Sequence, residues 1–260
     1  MEEKVFFKTS DGLRLCGILS IPKTETVKCI ILCHGIGYHK DEDEDLFKNF
    51  AKRLYDLGFT IFRFDFRGQG ESGGKSIDMT VSGEVRDIEA AVKYLQKRDF
   101  KEFGILSQSF AGGAVSFFSL THQNIIKTIV FWNSVIDYGQ FINPVLPWQV
   151  KYWGRPAFER VDEFGFTEIG GNKFKVGKKL MEEIKTLKPW EALLKISVPV
   201  LFVHGDEDRF VRVEDSIKYS RMMRNTKLEI IKGADHGFHE TPKFAEQGEK
   251  ATIEFFLKNM

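Results

Sequence analysis

Continuous apolar runs alternate with longer amphipathic stretches through most of this chain, and that alternation constrains its fold most. Apolar runs with the composition of strands buried on both faces lie at residues 29–33, 60–64, 103–106, 128–132 and 198–203. Apolar side chains recur at the three- and four-residue intervals of a helix in residues 46–57, 81–96 and 110–120. Strands and helices in this order predict βαβ units and a mostly parallel sheet flanked by helices.

The two ends of the chain add further elements to this sheet. Residues 5–9 and 13–21 alternate apolar and polar side chains around Asp11-Gly12, a dipeptide typical of hairpin turns, which predicts an antiparallel hairpin. Near the other end, the pattern predicts a helix over residues 213–223 and a strand over residues 228–231. Thr241-Pro242 then favours the start of a last helix, with Thr as N-cap and Pro in the first turn.

The segment from residue 134 to residue 187 breaks this rhythm. It is rich in aromatic side chains, and Gly170-Gly171-Asn172 separates two strand-like pieces, which predicts a hairpin. So long a structureless loop would be unusual in a compact domain, and we therefore interpret residues 134–187 as an inserted cap. The core is then formed by residues 1–133 and 188–260.

Ser109 stands where a predicted strand turns into a predicted helix, within the sequence S-Q-S-F-A-G-G of residues 107–113. A nucleophilic serine at such a sharp, strained turn needs small residues two positions before and after it. Ser107 and Ala111 are small, although the common G-x-S-x-G pattern has glycine at both places. Ser109 is therefore the candidate nucleophile; a simple helix N-cap is its alternative role, and Ser107 is the competing nucleophile.

Polar residues follow two further predicted strands, at the edge where an α/β sheet places functional groups. Asp206, Glu207 and Asp208 follow the last of the five buried strands, and an acid there can fix the tautomer of a histidine ring. His236 follows the next strand in a glycine-containing loop, with His239 as the alternative base. A serine, an acid and a histidine at three strand ends form a candidate acyl-transfer site.

The sequence H-G-I-G of residues 34–37 ends the first buried strand. Acyl transfer requires two N–H donors placed in advance for the developing oxyanion. We expect these donors to be the backbone N–H groups of Ile36 and Phe110. A plain glycine turn is the alternative role of residues 34–37.

These residues resemble the α/β-hydrolase superfamily over nearly the whole chain. The sequence F-D-F-R-G-Q-G-E-S of residues 64–72 is similar to that superfamily's D-x-R-G-x-G-x-S segment. Within the superfamily, the chain resembles small bacterial cinnamoyl and feruloyl esterases. It shares with them His34-Gly35 followed by Lys40 and acids, F-D-F followed by G-G-K at residues 73–75, and a cap containing a hairpin.

The resemblance implies the α/β-hydrolase fold, with a mostly parallel eight-stranded sheet, flanking helices and an inserted cap. It also places Ser109, Asp208 and His236 at the catalytic positions, because the acid is the last residue of the G-x-x-D pattern at residues 205–208. Those esterases commonly have the sequence G-H-S-x-G-G around the nucleophile, whereas this chain has S-Q-S-F-A-G at residues 107–112.

The expected function is hydrolysis of carboxylic esters through an acyl-enzyme on Ser109, without a cofactor or a metal. An aromatic cap over an apolar pocket favours hydrophobic or aromatic acyl groups. Two alternatives of the same fold are an acylglycerol lipase and a serine peptidase. From another class, the alternative is a hydrolase-like receptor that binds small molecules without turnover.

Composition limits the partners of the chain. Its 260 residues carry 38 Lys and Arg against 37 Asp and Glu, so charge gives no reason to expect binding to nucleic acid or to an anionic membrane. The three cysteines lie in apolar strand patterns without metal-site spacing, which indicates buried free thiols. Without a long apolar run or a signal-like N-terminus, we expect a cytoplasmic protein acting on a small-molecule ester. The sequence leaves a monomer and a homodimer both open.

Overall fold

A computed structural model describes residues 2–23, 26–238 and 241–260. Its strands are β1 (Glu2–Lys8), β2 (Arg14–Ser20), β3 (Lys28–Cys33), β4 (Thr60–Phe64), β5 (Glu102–Gln108), β6 (Ile126–Trp132), β7 (Phe166–Ile169), β8 (Phe174–Gly177), β9 (Val200–Gly205) and β10 (Thr226–Ile231). Its helices are α1 (Leu46–Asp56), α2 (Val81–Gln96), α3 (Gly112–Thr121), α4 (Gly139–Ile142), α5 (Pro147–Tyr152), α6 (Arg155–Phe164), α7 (Lys178–Thr186), α8 (Pro189–Leu193), α9 (Val213–Met222) and α10 (Pro242–Asn259).

Eight of these strands form one sheet in the order β1-β2-β4-β3-β5-β6-β9-β10. The pairs β1/β2 and β2/β4 are antiparallel, and the remaining neighbours pair in parallel. This sheet confirms the predicted α/β-hydrolase fold and the antiparallel hairpin at its start. Because the parallel strands run in the same direction, their carboxyl ends share one edge, which is where the predicted chemical groups follow.

Strand β3 shows why the predicted strands are apolar at every position. Cys29 and Ile31 pack in the apolar layer that contains α2 and α3, whereas Ile30 and Leu32 pack against α1 and α10. All four side chains are fully buried. A strand covered by helices on both faces must be hydrophobic on both, and each large side chain buried in this way contributes about 1.5–3 kcal/mol.

The segment after β4 is held by one buried carboxylate. Asp65 accepts the backbone N–H and the ammonium of Lys40 at 2.7 and 3.1 Å, and it also accepts the N–H of Glu71. Gly70 approaches so closely that a Cβ there would lie 2.3 Å from the Asp65 carboxyl carbon. The glycine and aspartate of this segment are therefore structural requirements of one tight loop.

The segment between β6 and β9 carries α4 to α8 and a separate two-stranded sheet of β7 and β8. These two strands pair antiparallel, so the hairpin predicted around Gly170-Gly171-Asn172 is confirmed. Side-chain hydrogen bonds tie the segment to the core: Asn172 donates to the carbonyl of Gly37 at 2.8 Å, and Gln149 donates to that of Phe210 at 2.9 Å. We propose residues 134–187 as the cap subdomain.

Three smaller expectations have mixed outcomes. The three cysteines are buried and free, as predicted. The helix expected from residue 110 starts instead at Gly112, after a 3-10 turn at Ser109–Ala111, because the chain must first reverse out of β5. Thr241 is the N-cap of α10, but its side chain forms no capping hydrogen bond.

Within the described ranges, no helix combines the length and the apolar character required to cross a membrane.

The end of β9 meets the loop after β10 at Gly205, and we predict that this contact tolerates no side chain. A Cβ on Gly205 would lie 2.2 Å from the Ala234 carbonyl oxygen and 2.9 Å from that of Asp235. Gly205→Ala should therefore lower the free energy of unfolding, measured in urea, by about 1–3 kcal/mol. Gly171→Ala is the matched control, since nothing lies within 4 Å of its Cβ position. Equal stability of the two variants would contradict the prediction.

Candidate active site

Ser109 lies at the sharp turn between β5 and α3. Its φ is 53°, a left-handed conformation that costs a non-glycine residue about 1–2 kcal/mol. Gly112 permits the turn, because a Cβ there would lie 2.6 Å from the Val135 carbonyl oxygen. The strained backbone holds a partly exposed serine at the carboxyl edge of the sheet, in front of the amino end of a helix.

Ser107, the competing nucleophile, lies inside β5 and is fully buried. Its hydroxyl oxygen accepts a hydrogen bond from the Ser134 hydroxyl at 3.3 Å. A small polar residue thus replaces the usual glycine two positions before Ser109, and the Ser134 hydroxyl forms a hydrogen bond with it. Ser107 therefore packs within the sheet, away from the cavity that Ser109 lines.

Asp208 is the acid that reaches His236. One of its carboxylate oxygens accepts the N–H groups of Phe210 and Val211 at 2.8 and 2.9 Å. The other accepts from His236 Nδ1 at 2.8 Å and lies 3.2 Å from His204 Nε2. Burial alone would raise the pKa of Asp208, but the two histidines hold it well below its usual value. This carboxylate is ionised and immobilised.

The two neighbouring acids have other places. Asp206 is exposed and accepts the N–H of Gly233 at 2.6 Å, which closes the loop after β10. Glu207 is exposed. The geometry therefore joins Asp208, rather than Asp206 or Glu207, to the histidine.

His236 lies in the loop after β10 with 17% of its side chain exposed. Because its Nδ1 bonds Asp208, its Nε2 is the ring nitrogen left to exchange a proton with a substrate or a nucleophile. Burial opposes a charge on the ring, yet the Asp208 carboxylate outweighs it, so the pKa of His236 is raised. His239, the alternative base, lies outside the described residues.

The loop after β3 is oriented by a buried histidine. His34 Nε2 accepts the N–H of Phe66 at 2.9 Å, so its proton is on Nδ1, which donates to the Gly35 carbonyl at 2.8 Å. Burial lowers the pKa of His34 to about 4 and keeps the ring neutral. In a trans peptide the Gly35 carbonyl and the Ile36 N–H point in opposite directions, so His34 fixes the direction of the Ile36 N–H.

Two more contacts fix the same loop. The Gly37 N–H donates to Gln69 Oε1 at 2.6 Å, and the Gly37 carbonyl accepts from Asn172 of the cap hairpin. The Ile36 N–H, by contrast, donates to no backbone carbonyl or side chain in the described ranges. The loop packs on the nucleophile, because a Cβ on Gly35 would lie 3.1 Å from Ser109 Cβ.

Ser109, His236, Ile36 and Phe110 all line one cavity of about 710 Å³, a volume suited to a small organic ligand. The cap supplies much of its apolar wall, in which Phe141 and Trp153 stack with ring centroids 4.3 Å apart. The remaining aromatic side chains of the wall are Tyr38, Phe110, Trp148, Phe174 and Phe210. The cavity is therefore shaped for an apolar or aromatic group next to Ser109.

The acidic run at residues 41–45 precedes α1 and is only partly exposed to solvent. Glu42 is buried, lines the same cavity and accepts the Gly35 N–H. Burial raises the pKa of Glu42 to about 7. The chain reverses at Glu42, whose φ of 60° turns the side chain inward, whereas Asp43 and Glu44 stay exposed.

Glu42 is a residue of the cavity that the sequence did not predict. The signal available was its position eight residues after His34, in the loop that also carries Lys40. The alternation of polar residues there gave no sign of which acid faces inward. A left-handed backbone at a glutamate is not visible in a single sequence.

One group of side chains has the composition of a metal site but contains its own cation. Ligand atoms of Cys16, Asp65 and Glu71 lie within 4.8 Å of one another. The Lys40 ammonium lies 3.1 Å from Asp65 and 3.0 Å from Glu71, which puts a positive charge between the two carboxylates. The donor set is thus satisfied by lysine and does not fit a bound metal ion.

Comparison with known proteins identifies the family of the chain. The model of the alpha/beta hydrolase family matches residues 30–246. The chain is 23% identical over 226 residues to a monoacylglycerol lipase from Mycolicibacterium smegmatis, a match that covers 79% of each protein. It is also 23% identical over 261 residues to an uncharacterized abhydrolase domain-containing protein from Dictyostelium discoideum. That match covers 89% of this chain and 26% of the relative, so the chain spans about a quarter of that protein's length.

Among solved structures, Est1E from Butyrivibrio proteoclasticus with bound ferulic acid has a similar fold. The two chains are 25% identical, with a TM-score of 0.83, and the match covers 98% of this chain and 99% of Est1E.

The contact between Asp208 and His236 predicts the effect of removing the charge. Asp208→Asn should lower the pKa of His236, because burial is then no longer opposed by the carboxylate that acts most strongly on the ring. NMR titration of the His236 ring protons, assigned with His236→Gln, measures this pKa without a substrate. Asp206→Asn is the control from the same loop and should leave it unchanged. An equal shift in both variants would assign no special role to Asp208.

Proposed function

Because the chain belongs to the α/β-hydrolase family, we propose that it is a serine hydrolase that cleaves carboxylic esters through an acyl-enzyme on Ser109. The observation that carries the proposal is the strained Ser109 turn in one cavity with His236, whose Nδ1 is bonded to the buried Asp208 carboxylate. A base with its tautomer fixed by an acid, beside a partly exposed serine, supports nucleophilic acyl transfer.

In the proposed reaction, His236 Nε2 takes the proton of the Ser109 hydroxyl as the oxygen attacks the ester carbonyl. The N–H groups of Ile36 and Phe110 donate to the oxyanion that forms. His236 then gives its proton to the departing alcohol, leaving an acyl group on Ser109. Water attacks this acyl-enzyme with His236 again as the base, and the carboxylic acid leaves. Asp208 stays ionised throughout and supports the imidazolium.

The cavity wall supports a preference for neutral esters with apolar or aromatic acyl groups. Its aromatic side chains surround the place next to Ser109, and Est1E, the solved structure with bound ferulic acid, shares the fold. Among the described residues that line it, the carboxylates of Glu42, Asp43 and Asp235 accompany His236, and Lys and Arg are absent. A cavity with this charge distribution repels anionic substrates.

A second candidate is acylglycerol hydrolysis. It is favoured by the match to the monoacylglycerol lipase, which extends over most of both chains. The same wall of apolar side chains would accommodate an alkyl chain in place of an aromatic ring. The two candidates share the proposed chemistry and differ in the ester cleaved, both in its acyl group and in its alcohol.

Covalent labelling tests the nucleophile. Wild type should react with a fluorophosphonate probe and hydrolyse p-nitrophenyl butyrate. Ser109→Ala should lose the label and at least about a thousandfold in kcat. Ser107→Ala is the matched control and should keep both properties, since Ser107 does not line the cavity. Failure of wild type to react would favour the non-catalytic receptor, and labelling of Ser109→Ala would contradict the assignment of the nucleophile.

An ester panel tests the acyl preference and the charge of the cavity. At pH 8 we expect kcat/KM to be highest for neutral feruloyl or p-nitrophenyl esters and at least about tenfold lower for the anionic mono-p-nitrophenyl succinate. The ratio between p-nitrophenyl butyrate and the succinate should shrink as the pH falls through 7, because Glu42 then takes up a proton. Protonation of His236 lowers kcat/KM for both esters by the same factor and therefore does not change this ratio. A higher kcat/KM for a monoacylglycerol would favour the second candidate, and a ratio independent of pH would contradict the assigned charge.

A further inference from the structure

We propose that Glu42 is a positioning residue of the active site, which holds the oxyanion loop through the Gly35 N–H and supplies His236 with a negative charge beside that of Asp208. The oxyanion loop is residues 35–37. The inference deepens the proposed function, because it assumes that His236 is the base for Ser109.

The first argument is the position of the Glu42 carboxylate. Its Oε1 accepts the Gly35 N–H, one residue before the Ile36 donor. A Cβ built on Gly35 would lie 3.3 Å from this oxygen and 3.6 Å from Ser109 Oγ, so the carboxylate and the nucleophile lie on the same side of the loop. Glu42 therefore borders the reacting groups without being part of the Asp208–His236 pair.

The second argument is the backbone of Glu42. Its φ of 60° and ψ of −176° lie in a region that is occupied almost only by glycine. A glutamate held there costs about 1–3 kcal/mol, and burial of its carboxylate adds to that cost. Glycine at this position would remove both costs. Strain of this kind is concentrated at functional sites, where the side chain is required in one direction.

The third argument is the charge around Glu42. The ionisable groups that act on it most strongly are His236 and Asp43, and neither Lys nor Arg is among them. His236 in turn faces Asp208, Glu42 and Asp235, which all favour its protonated form. Protonated His236 is thus the positive charge that most favours the ionised form of the buried Glu42 carboxylate. Apart from His236, this carboxylate depends on the Gly35 N–H and on a weak contact from the Asp43 N–H at 3.4 Å.

The two roles can be separated by substitution. Glu42→Gln keeps an oxygen that can accept the Gly35 N–H and removes the charge. Glu42→Ala removes both and leaves a buried N–H without its acceptor. Asp45→Asn is the matched control: Asp45 belongs to the same acidic run, is half exposed, and has a left-handed backbone that Asn adopts readily.

NMR titration of His236 tests the charge directly and needs no substrate, so its result is independent of whether the protein hydrolyses esters. Because an ionised Glu42 raises the pKa of His236, Glu42→Gln should lower it, whereas Asp45→Asn should not. The acid limb of the kcat/KM profile for p-nitrophenyl butyrate should move to lower pH in step. An unmoved pKa in Glu42→Gln would overturn the proposal, even if activity fell.

Steady-state kinetics test the hold on the loop. At a pH above both titrations, Glu42→Ala should lose at least about tenfold in kcat relative to Glu42→Gln, with little change in KM, because the Ile36 donor acts on the oxyanion rather than on the bound ester. A higher kcat in Glu42→Gln than in Glu42→Ala would show that the hydrogen bond from the Gly35 N–H is what holds the loop. Equal kcat values for the two variants would overturn this role of Glu42.

Discussion

The parallel register of the central strands determines where every chemical group of the site can lie. Cys33 pairs with Ser107, Gln108 with Trp132, and Gly205 with Ile231, so these strands end at one edge of the sheet. The oxyanion loop, the Ser109 turn, the loop after β9 that carries Asp208 (the acid loop) and the loop after β10 that carries His236 (the histidine loop) all leave from this edge. A one-residue slip of β5 would turn the side chain at the turn to the other face of the sheet.

Burial penalises the charged form of each ionisable group in this site, and hydrogen-bond partners decide which charges survive. His34 receives an N–H on Nε2 and stays neutral, which makes it a rigid holder of the Gly35 carbonyl. Asp208 receives two backbone N–H groups and two histidine nitrogens and stays ionised. Glu42 accepts the Gly35 N–H, and burial raises its pKa to about 7. Three buried groups therefore differ in protonation because their hydrogen-bond partners differ.

The sheet, its flanking helices and the hairpin of the cap could be predicted from the sequence, because periodicity and turn residues act locally. The choice of Asp208 over Asp206 needed the resemblance to a known family, since both acids follow the same strand. The inward position of Glu42 could not be predicted from the sequence. The direction of its side chain depends on a left-handed backbone and on the N–H of a glycine seven residues earlier. Contacts between loops that are distant in sequence leave no periodic pattern. Residues that surround a site, such as Glu42, are therefore harder to predict than the candidate catalytic residues.

The cap is bound to the same loops that carry the proposed chemistry. Asn172 donates to Gly37 in the oxyanion loop, and Gln149 donates to the Phe210 carbonyl in the acid loop. The Phe210 ring in turn lies 5.2 Å from the His236 ring. A cap anchored at both places holds its aromatic wall beside Ser109, so one group of contacts sets both the shape of the cavity and the position of the proposed reacting groups. Changes in the cap that keep Asn172 and Gln149 would therefore alter the shape of the cavity while leaving the oxyanion and acid loops in place.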